Sequence, residues 1–277
     1  MKTIGFLTPY THLPNFTNYL KGNFKCINMV GQPKTTLNIL KGVDYLFAAP
    51  NYLSYIIEDK DIENSSVKAI LTPSTGDNHI NVSIPVITIK NDSILEEIHS
   101  TAEHNLYLCL ALPRQIEKIV ELKEKTLGIL GYGRLGKILE KIAKPIFKKI
   151  VRADTDFIDD NFFSETDFLS INIDYKESNT DYINADYVGK FRKNIYIVNT
   201  SRGEVVDEED IVKAIVNNRV LGYATDVIKE EHTPIYTILK DNNDKRILRT
   251  PHIGGTAIEA QEKAYKRVIE KTNEYNI

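Results

Sequence analysis

Long apolar runs, cysteines and an excess of positive charge are all scarce in this 277-residue chain. A membrane-crossing helix needs about 20 predominantly apolar residues. No stretch of that kind is present, and no signal peptide opens the chain. We therefore expect a cytoplasmic protein without a membrane partner. Only two cysteines occur, Cys26 and Cys109, both in apolar surroundings. They read as buried free thiols of a reducing compartment, with a disulfide left open. Lys and Arg number 35 against 38 Asp and Glu, a net charge of −3. That balance gives nucleic acid no basic face to bind. Repeats of solenoid period and low-complexity tracts are also missing, and no metal is expected. The remaining composition, 42% hydrophobic and 26% charged, is that of a globular protein with room for one or two domains.

What is present is a glycine turn in the right setting. The stretch Lys125–Gly136 reads KTLGILGYGRLG. An apolar run, Leu127–Leu130, leads into Gly131, Gly133 and Gly136, and an amphipathic segment follows over Lys137–Lys144. Strand, turn and helix in that order are what a G-x-G-x-x-G needs before it signifies a dinucleotide site. The first glycine permits the turn, the second lets backbone approach a pyrophosphate, and the third lets helix pack on strand. Helix N–H groups and dipole then favour phosphate. Asp154 stands after a second apolar run, Ile150–Val151, and is placed to accept a ribose 2′-hydroxyl, which argues for NAD. Arg152 falls on the same side of that strand by alternation and keeps NADP from being excluded.

On both sides of the turn, strands alternate with helices, the pattern of a parallel sheet covered on both faces. Strands are expected at Thr3–Leu7, Phe24–Met29, Tyr45–Ala48, Val67–Leu71 and Val86–Ile89. Short helices are expected at Phe16–Lys21, Thr35–Leu40 and Tyr52–Asp61. A helix capped by Asp92 or Ser93 runs from Ile94 to about Lys123. Its apolar centre, Leu106–Leu112, predicts burial all round, and Pro113 predicts a break or kink. Further strands are expected at 126–131, 149–153, 168–173, 195–199, 221–226 and 246–249, with helices at 134–144, 184–190 and 207–217. Asp207 opens the last of these, with Glu208, Glu209 and Asp210 at its positive end. A final helical pattern spans Thr256–Tyr275.

Three later strands each end in a chemically useful residue. Arg202 follows Ile195–Val198, Asp226 and Glu231 follow Leu221–Thr225, and His252 follows Ile247–Leu248. Strand C-termini of such a sheet converge on the ligand crevice. There an arginine can clamp a carboxylate or polarise a carbonyl. A histidine can exchange a proton near neutral pH, and a carboxylate can fix its ring. His104 and His232 are alternatives to His252.

From about residue 67 to 265 the chain resembles the D-isomer-specific 2-hydroxyacid dehydrogenases. The matching residues are Thr75-Gly76-Asp77-Asn78, Thr101-Ala102-Glu103-His104, the glycine turn, Asn199 to Asp207, Asp226-Val227, and Pro251 to Gly255. The resemblance implies an α/β fold of two doubly wound parallel-sheet domains. A flavodoxin-like substrate domain would take residues 1–92 and 255–277, and a Rossmann NAD-binding domain residues 93–254. It implies hydride transfer between NAD(H) and a small D-2-hydroxy or 2-oxo acid, with Arg202 binding substrate, His252 as acid/base and Glu231 as its partner. Cofactor would be held by Gly131, Tyr132, Gly133, Arg134, Leu135, Gly136 and Asp154. Thr200, Ser201, Asp226, His252 and Gly254 would surround its nicotinamide end, with Asp226 on the carboxamide. Asn51, Ser74, Thr75 and Gly76 would join Arg202 and His252 around the substrate.

Departures from the family pattern are specific. Its Arg-Ser after the third strand is Ala49-Pro50-Asn51 here. Its dimer arm, which carries a tryptophan, is reduced to the few residues between Arg114 and Lys125, and this chain has no tryptophan. Any homodimer is therefore expected to use a different interface. Its His-x-Pro is Asn172-Ile173-Asp174, and the proline after the catalytic carboxylate is His232. These departures motivate an alternative, an NAD(H)-sensing binding protein of the same fold with little turnover.

Overall fold

A computed structural model describes residues 1–116, 120–231, 238–240 and 242–275. Their packing divides them into two compact units, one from residues 1–98 and 256–275, the other from 99–231 and 238–255.

The first unit is built on strands β1 (Lys2–Phe6), β2 (Phe24–Asn28), β3 (Tyr45–Phe47), β5 (Ala69–Leu71) and β7 (Val86–Ile87). A separate pair, β4 (Ile57–Glu58) and β6 (Ile80–Asn81), lies outside this sheet. The five strands are parallel in the order β2-β1-β3-β5-β7, the flavodoxin-like order in which the strand order reverses beside β1. Both sheet faces are covered, one by a cluster around Phe6, Phe16 and Phe47, the other around Leu46, Ile57 and Ile70. Helix α1 (Pro14–Leu20) starts with proline at its first turn, where no N–H is needed.

Two expected helices take another form here. Thr35–Leu40 is a 3-10 turn over Lys34–Ile39. Tyr52–Asp61 is a 3-10 turn at Pro50–Tyr52, then β4, then α2 (Asp59–Ile62). Pairing of Ile57 with Ile80 takes those residues into a ladder. A reciprocal cap between Glu58 and Asp61 starts the helix only after it.

The linking helix also starts late. Asp92 caps a 3-10 turn, Ser93–Glu97, through the Ile94 N–H, and α3 begins at Ser100 and runs to Gln115. Pro113 sits inside its last turn and does not break it. Residues 117–119 of the expected span lie outside the described residues. The helix is not buried all round, because helical spacing turns Asn105, Leu108, Cys109 and Leu112 inward while Tyr107 is 52% exposed.

The second unit contains β8 (Thr126–Leu130), α4 (Arg134–Ala143), β9 (Lys149–Ala153), α5 (Asp160–Glu165), β10 (Phe168–Ile171), α6 (Ala185–Gly189), β11 (Ile195–Asn199), α7 (Glu208–Val216), β12 (Val220–Thr225) and β13 (Ile247–Arg249). Helix α5, which no periodicity announced, is capped by Asp159. Asp207 caps α7 as expected, accepting the Asp210 N–H at 3.0 Å. All six strands are parallel, ordered β13-β12-β11-β10-β8-β9. Numbered within the unit this is 2-1-3-4-5-6, whereas the usual dinucleotide-binding order has a third strand outside the second. The connection over residues 154–167 holds α5 and no strand, so among the described residues β9 is the sheet edge. Strand β8 is buried along its whole length, as a central parallel strand must be. The chain then returns to the first unit as α8 (Ile258–Glu270), whose Ala264, Tyr265, Val268 and Ile269 pack on the Phe6 cluster. No helix among the described residues is long and apolar enough to cross a membrane.

Candidate functional site

The glycine turn closes on itself by contact. Gly131 has φ of 91°, and a methyl group there would lie 2.6 Å from the backbone of Asn172. One on Gly136 would lie 2.3 Å from the Gly131 carbonyl oxygen. Neither position tolerates a side chain. Around Gly133, by contrast, no described atom beyond its chain neighbours lies within 4 Å of such a methyl group, and the residue is exposed. Gly133 is also the N-cap of α4 and supplies no side-chain cap. The first-turn N–H groups thus face an open space that an anion suits. Strand β8 lies between β9 and β10, the point where strand order reverses. Exposed Asp154 follows β9, and its Oδ1 accepts the Tyr132 N–H at 2.9 Å, which ties the acid to the turn. Arg134 and Leu135 form the first helical turn, half-buried.

Strands β11, β12 and β13 are neighbours, so the chain ends bearing Arg202, Asp226 and His252 lie side by side, about 5 Å apart per strand. Nδ1 of His252 stands 2.9 Å from Oε2 and 3.1 Å from Oε1 of Glu231. Both side chains are about one-fifth to one-quarter exposed. With Nδ1 donating to the carboxylate, Nε2 is the ring nitrogen left to exchange a proton. His252 has φ of 52°, a left-handed conformation that costs a β-carbon-bearing residue about 1–2 kcal/mol. Neighbouring contacts hold it there. Asp226, 3% exposed, accepts the Ile253 N–H at 2.8 Å, the Gly254 N–H at 2.7 Å and the Thr250 hydroxyl at 2.5 Å. His104 approaches the same carboxylate at 3.4 Å and Thr250 at 2.9 Å. Burial raises the Asp226 pKa, but the bonds from His104, Thr250, Gly254 and Ile253 more than offset it and hold the acid below the ordinary aspartate range. His104 thus stands against Asp226, away from the Glu231 carboxylate that engages His252. His232 lies outside the described residues.

Arg202 follows β11 and donates to the Ser201 carbonyl at 2.7 Å. Asn199 organises this corner, with its side chain donating to the Arg202 carbonyl and accepting from the Ser201 N–H and hydroxyl. Gly203 is pressed against Ile228, where a methyl group would come within 2.0 Å of backbone, so the arginine loop and the loop after β12 are fixed against each other.

Several participants left no mark in the sequence pattern. Buried Asn105 of α3 donates to Thr200 at 2.9 Å and accepts from Ser170 at 3.0 Å, joining helix to β10 and the end of β11. Its only signal was an amide beside an apolar helical stretch. Glu140 of α4 takes Arg152 and Tyr132 together.

In the first unit the expected substrate residues also fall at strand C-termini. Asn51 lies in the turn after β3, while Ser74, Thr75 and Gly76 follow β5. Ser74 Oγ is 2.8 Å from the Thr72 hydroxyl and donates to the Gly76 carbonyl at 2.5 Å. Fully buried His79, overlooked beside its motif, stands 3.3 Å from Thr72 and 3.2 Å from the Ala48 carbonyl. The Ala49 N–H donates to Thr8 at 2.7 Å. Loops after β1, β3 and β5 are thereby braced from within.

Comparison with known proteins follows the same division. The family model described as D-isomer specific 2-hydroxyacid dehydrogenase, NAD binding domain, matches residues 111–254. Hydroxypyruvate reductase of Thermotoga maritima is 31% identical over 198 residues, 62% of this chain and 65% of that one. D-3-phosphoglycerate dehydrogenase of a Synechocystis species is 28% identical over 214 residues, 65% of this chain and 38% of that one. These matches span less than two thirds of either relative. The pyruvate reductase of Chlamydomonas reinhardtii shares the fold, with a TM-score of 0.78 at 18% identity over 99% of this chain and 96% of that one. The open glycine cradle, its tethered acid and the histidine–glutamate pair thus lie within a matched segment, and the chain belongs to the D-isomer specific 2-hydroxyacid dehydrogenase family, with an NAD-binding domain at its C-terminal side.

Proposed function

We propose that this protein is an NAD-dependent oxidoreductase interconverting a small D-2-hydroxy acid and its 2-oxo acid. The observation that carries the reading is the Glu231 carboxylate on Nδ1 of His252, in a loop anchored by Asp226. A binder without turnover has no use for a proton-exchanging ring held this way. NAD would lie with its pyrophosphate over Gly133, its adenosine ribose on Asp154 and its nicotinamide end among Thr200, Ser201, Asp226 and Gly254. Asp226 Oδ2 accepts only the Gly254 N–H among the bonds above, which leaves a lone pair for the carboxamide.

When bound, the reduced cofactor supplies the hydride. His252 gives the proton at Nε2 to the substrate's carbonyl oxygen in reduction and recovers it from the hydroxyl in oxidation. Glu231 keeps the ring in one orientation and stabilises its protonated form. Arg202 orients the substrate carboxylate and offsets negative charge developing on the carbonyl oxygen. Asn51, Ser74, Thr75 and Gly76 would receive the rest of the substrate. The same reading takes the chain to form a homodimer without the family's usual arm. Light scattering that finds only monomer overturns that element alone.

Stopped-flow consumption of NADH and NADPH against a panel of 2-oxo acids tests the main reading. Saturable NADH oxidation by at least one acid is expected. NADH binding without oxidation by any of them overturns it in favour of the sensor.

A further inference from the structure

Asp154 is one of two charged side chains on the same side of β9, and the other is committed elsewhere. Arg152 precedes it by two residues, so strand alternation turns both to one side. An arginine at that place is the group that would grip a ribose 2′-phosphate with its bidentate fork. Here Glu140 occupies that fork. Oε2 of Glu140 accepts from Nε of Arg152 at 2.9 Å, and Oε1 accepts from a terminal guanidinium nitrogen. The Tyr132 hydroxyl donates to the same carboxylate, and the guanidinium lies 5.0 Å over the Tyr132 ring. Glu140 is 14% exposed on the α4 side of this layer and Arg152 is 51% exposed, so it is the two-point geometry and the stacked ring, not burial, that commit the guanidinium.

Building on the dinucleotide site argued above, we propose that Glu140 enforces the choice of NAD over NADP by withholding Arg152 from the 2′ position. Two barriers then act against a 2′-phosphate. Asp154 repels it, and the one nearby guanidinium on the same strand is already paired. Tyr132 connects both barriers, since its N–H binds Asp154 while its ring and hydroxyl hold Arg152 and Glu140. Removing the acid alone is therefore insufficient to admit NADP, and Glu140 is a specificity-determining residue that touches no substrate.

Equilibrium binding measures this directly, with NADH and NADPH titrated by their own fluorescence. Four proteins are compared: wild type, Asp154→Ser, Asp154→Ser with Glu140→Ala, and that double variant with Arg152→Gln added. Asp154→Ser alone should leave NADPH much weaker than NADH. Adding Glu140→Ala should tighten NADPH about tenfold or more, the scale of a charge-assisted hydrogen bond gained, while NADH changes little. Adding Arg152→Gln should erase that gain. A gain that survives Arg152→Gln reports only the loss of a negative charge and overturns the proposal. So does NADPH binding as tight as NADH in Asp154→Ser alone, or no gain in a double variant that still binds NADH. If Glu140→Ala does not yield folded protein, Glu140→Gln should give the same ordering with a smaller gain, and its absence there also overturns the proposal. Wild type binding neither nucleotide would instead overturn the dinucleotide reading on which the proposal stands.

Discussion

Oδ2 of Asp226 accepts the Gly254 N–H at 2.7 Å, and a methyl group on Gly254 would stand 2.8 Å from that same oxygen. The carboxylate cannot retreat, because Ile253 and Thr250 hold its other oxygen. Gly254→Ala must therefore move the loop that carries His252. We expect a stability loss of about 1–3 kcal/mol, the cost of disrupting a buried charged hydrogen bond. Turnover should fall more than KM rises. Unchanged melting temperature and turnover would show that the loop absorbs the methyl group.

Replacement of the proton-exchanging ring tests the assigned roles. His252→Gln should lower turnover by at least about a hundredfold, the usual minimum contribution of a positioned acid/base, with NADH affinity within a few fold of wild type. Glu231→Gln keeps size and removes charge, and should fall between the two. Steady-state rates with the best acid of the panel decide it. Activity near wild type in His252→Gln would remove His252 from the mechanism.

Asp226 also predicts a pH dependence. Its native pKa lies below the ordinary aspartate value of 3.8. A carboxylate depressed in the folded state stabilises the fold above its unfolded pKa and loses that contribution as pH falls through the folded one. Asp226→Asn should therefore be less stable than wild type near neutral pH by about 3 kcal/mol, as for a broken buried charged network. The gap should narrow steadily below about pH 4. Urea unfolding at neutral and at acidic pH measures it, and a gap independent of pH would contradict the account.

The two thiols should differ sharply in reactivity. Both are free, Cys26 partly exposed and Cys109 fully buried. Burial pushes the Cys109 thiol up to about 12, so almost no thiolate exists there near neutral pH. A disulfide-exchange reagent should modify one thiol in the native protein and the second only on unfolding. Cys26→Ser should abolish the early reaction. Two thiols reacting at one rate would indicate that the α3 packing opens readily.

Legibility followed the range of the forces involved. The glycine turn was readable because Gly131 and Gly136 answer to contacts within a few residues or with the adjoining strand, and only glycine satisfies them. The helix caps at Asp92 and Asp207 are local and were readable for the same reason. The pairing of Glu231 with His252 was anticipated through the family resemblance and the placement of both residues after strands, not through any local spacing. Asn105 with Ser170, and Glu140 with Arg152, were invisible, because each joins residues whose proximity exists only after helix has packed on sheet. Tyr52–Asp61 misled because its helical spacing competes with a ladder to Ile80, a partner more than twenty residues away. The missing outer strand, by contrast, was legible, since no strand was expected between 149–153 and 168–173 and none forms there.

Among the described residues no strand pairs with β9 on its outer side. An uncovered strand edge invites another chain to add to it, the first step of aggregation. Here the edge is guarded by charge, since exposed Lys149 and Arg152 stand along β9 and are pinned by Glu165 and Glu140. A redesign that frees Arg152 for a new cofactor would also unpin one of the charges standing along this edge, so the ion pair proposed to favour NAD also helps keep the edge from pairing.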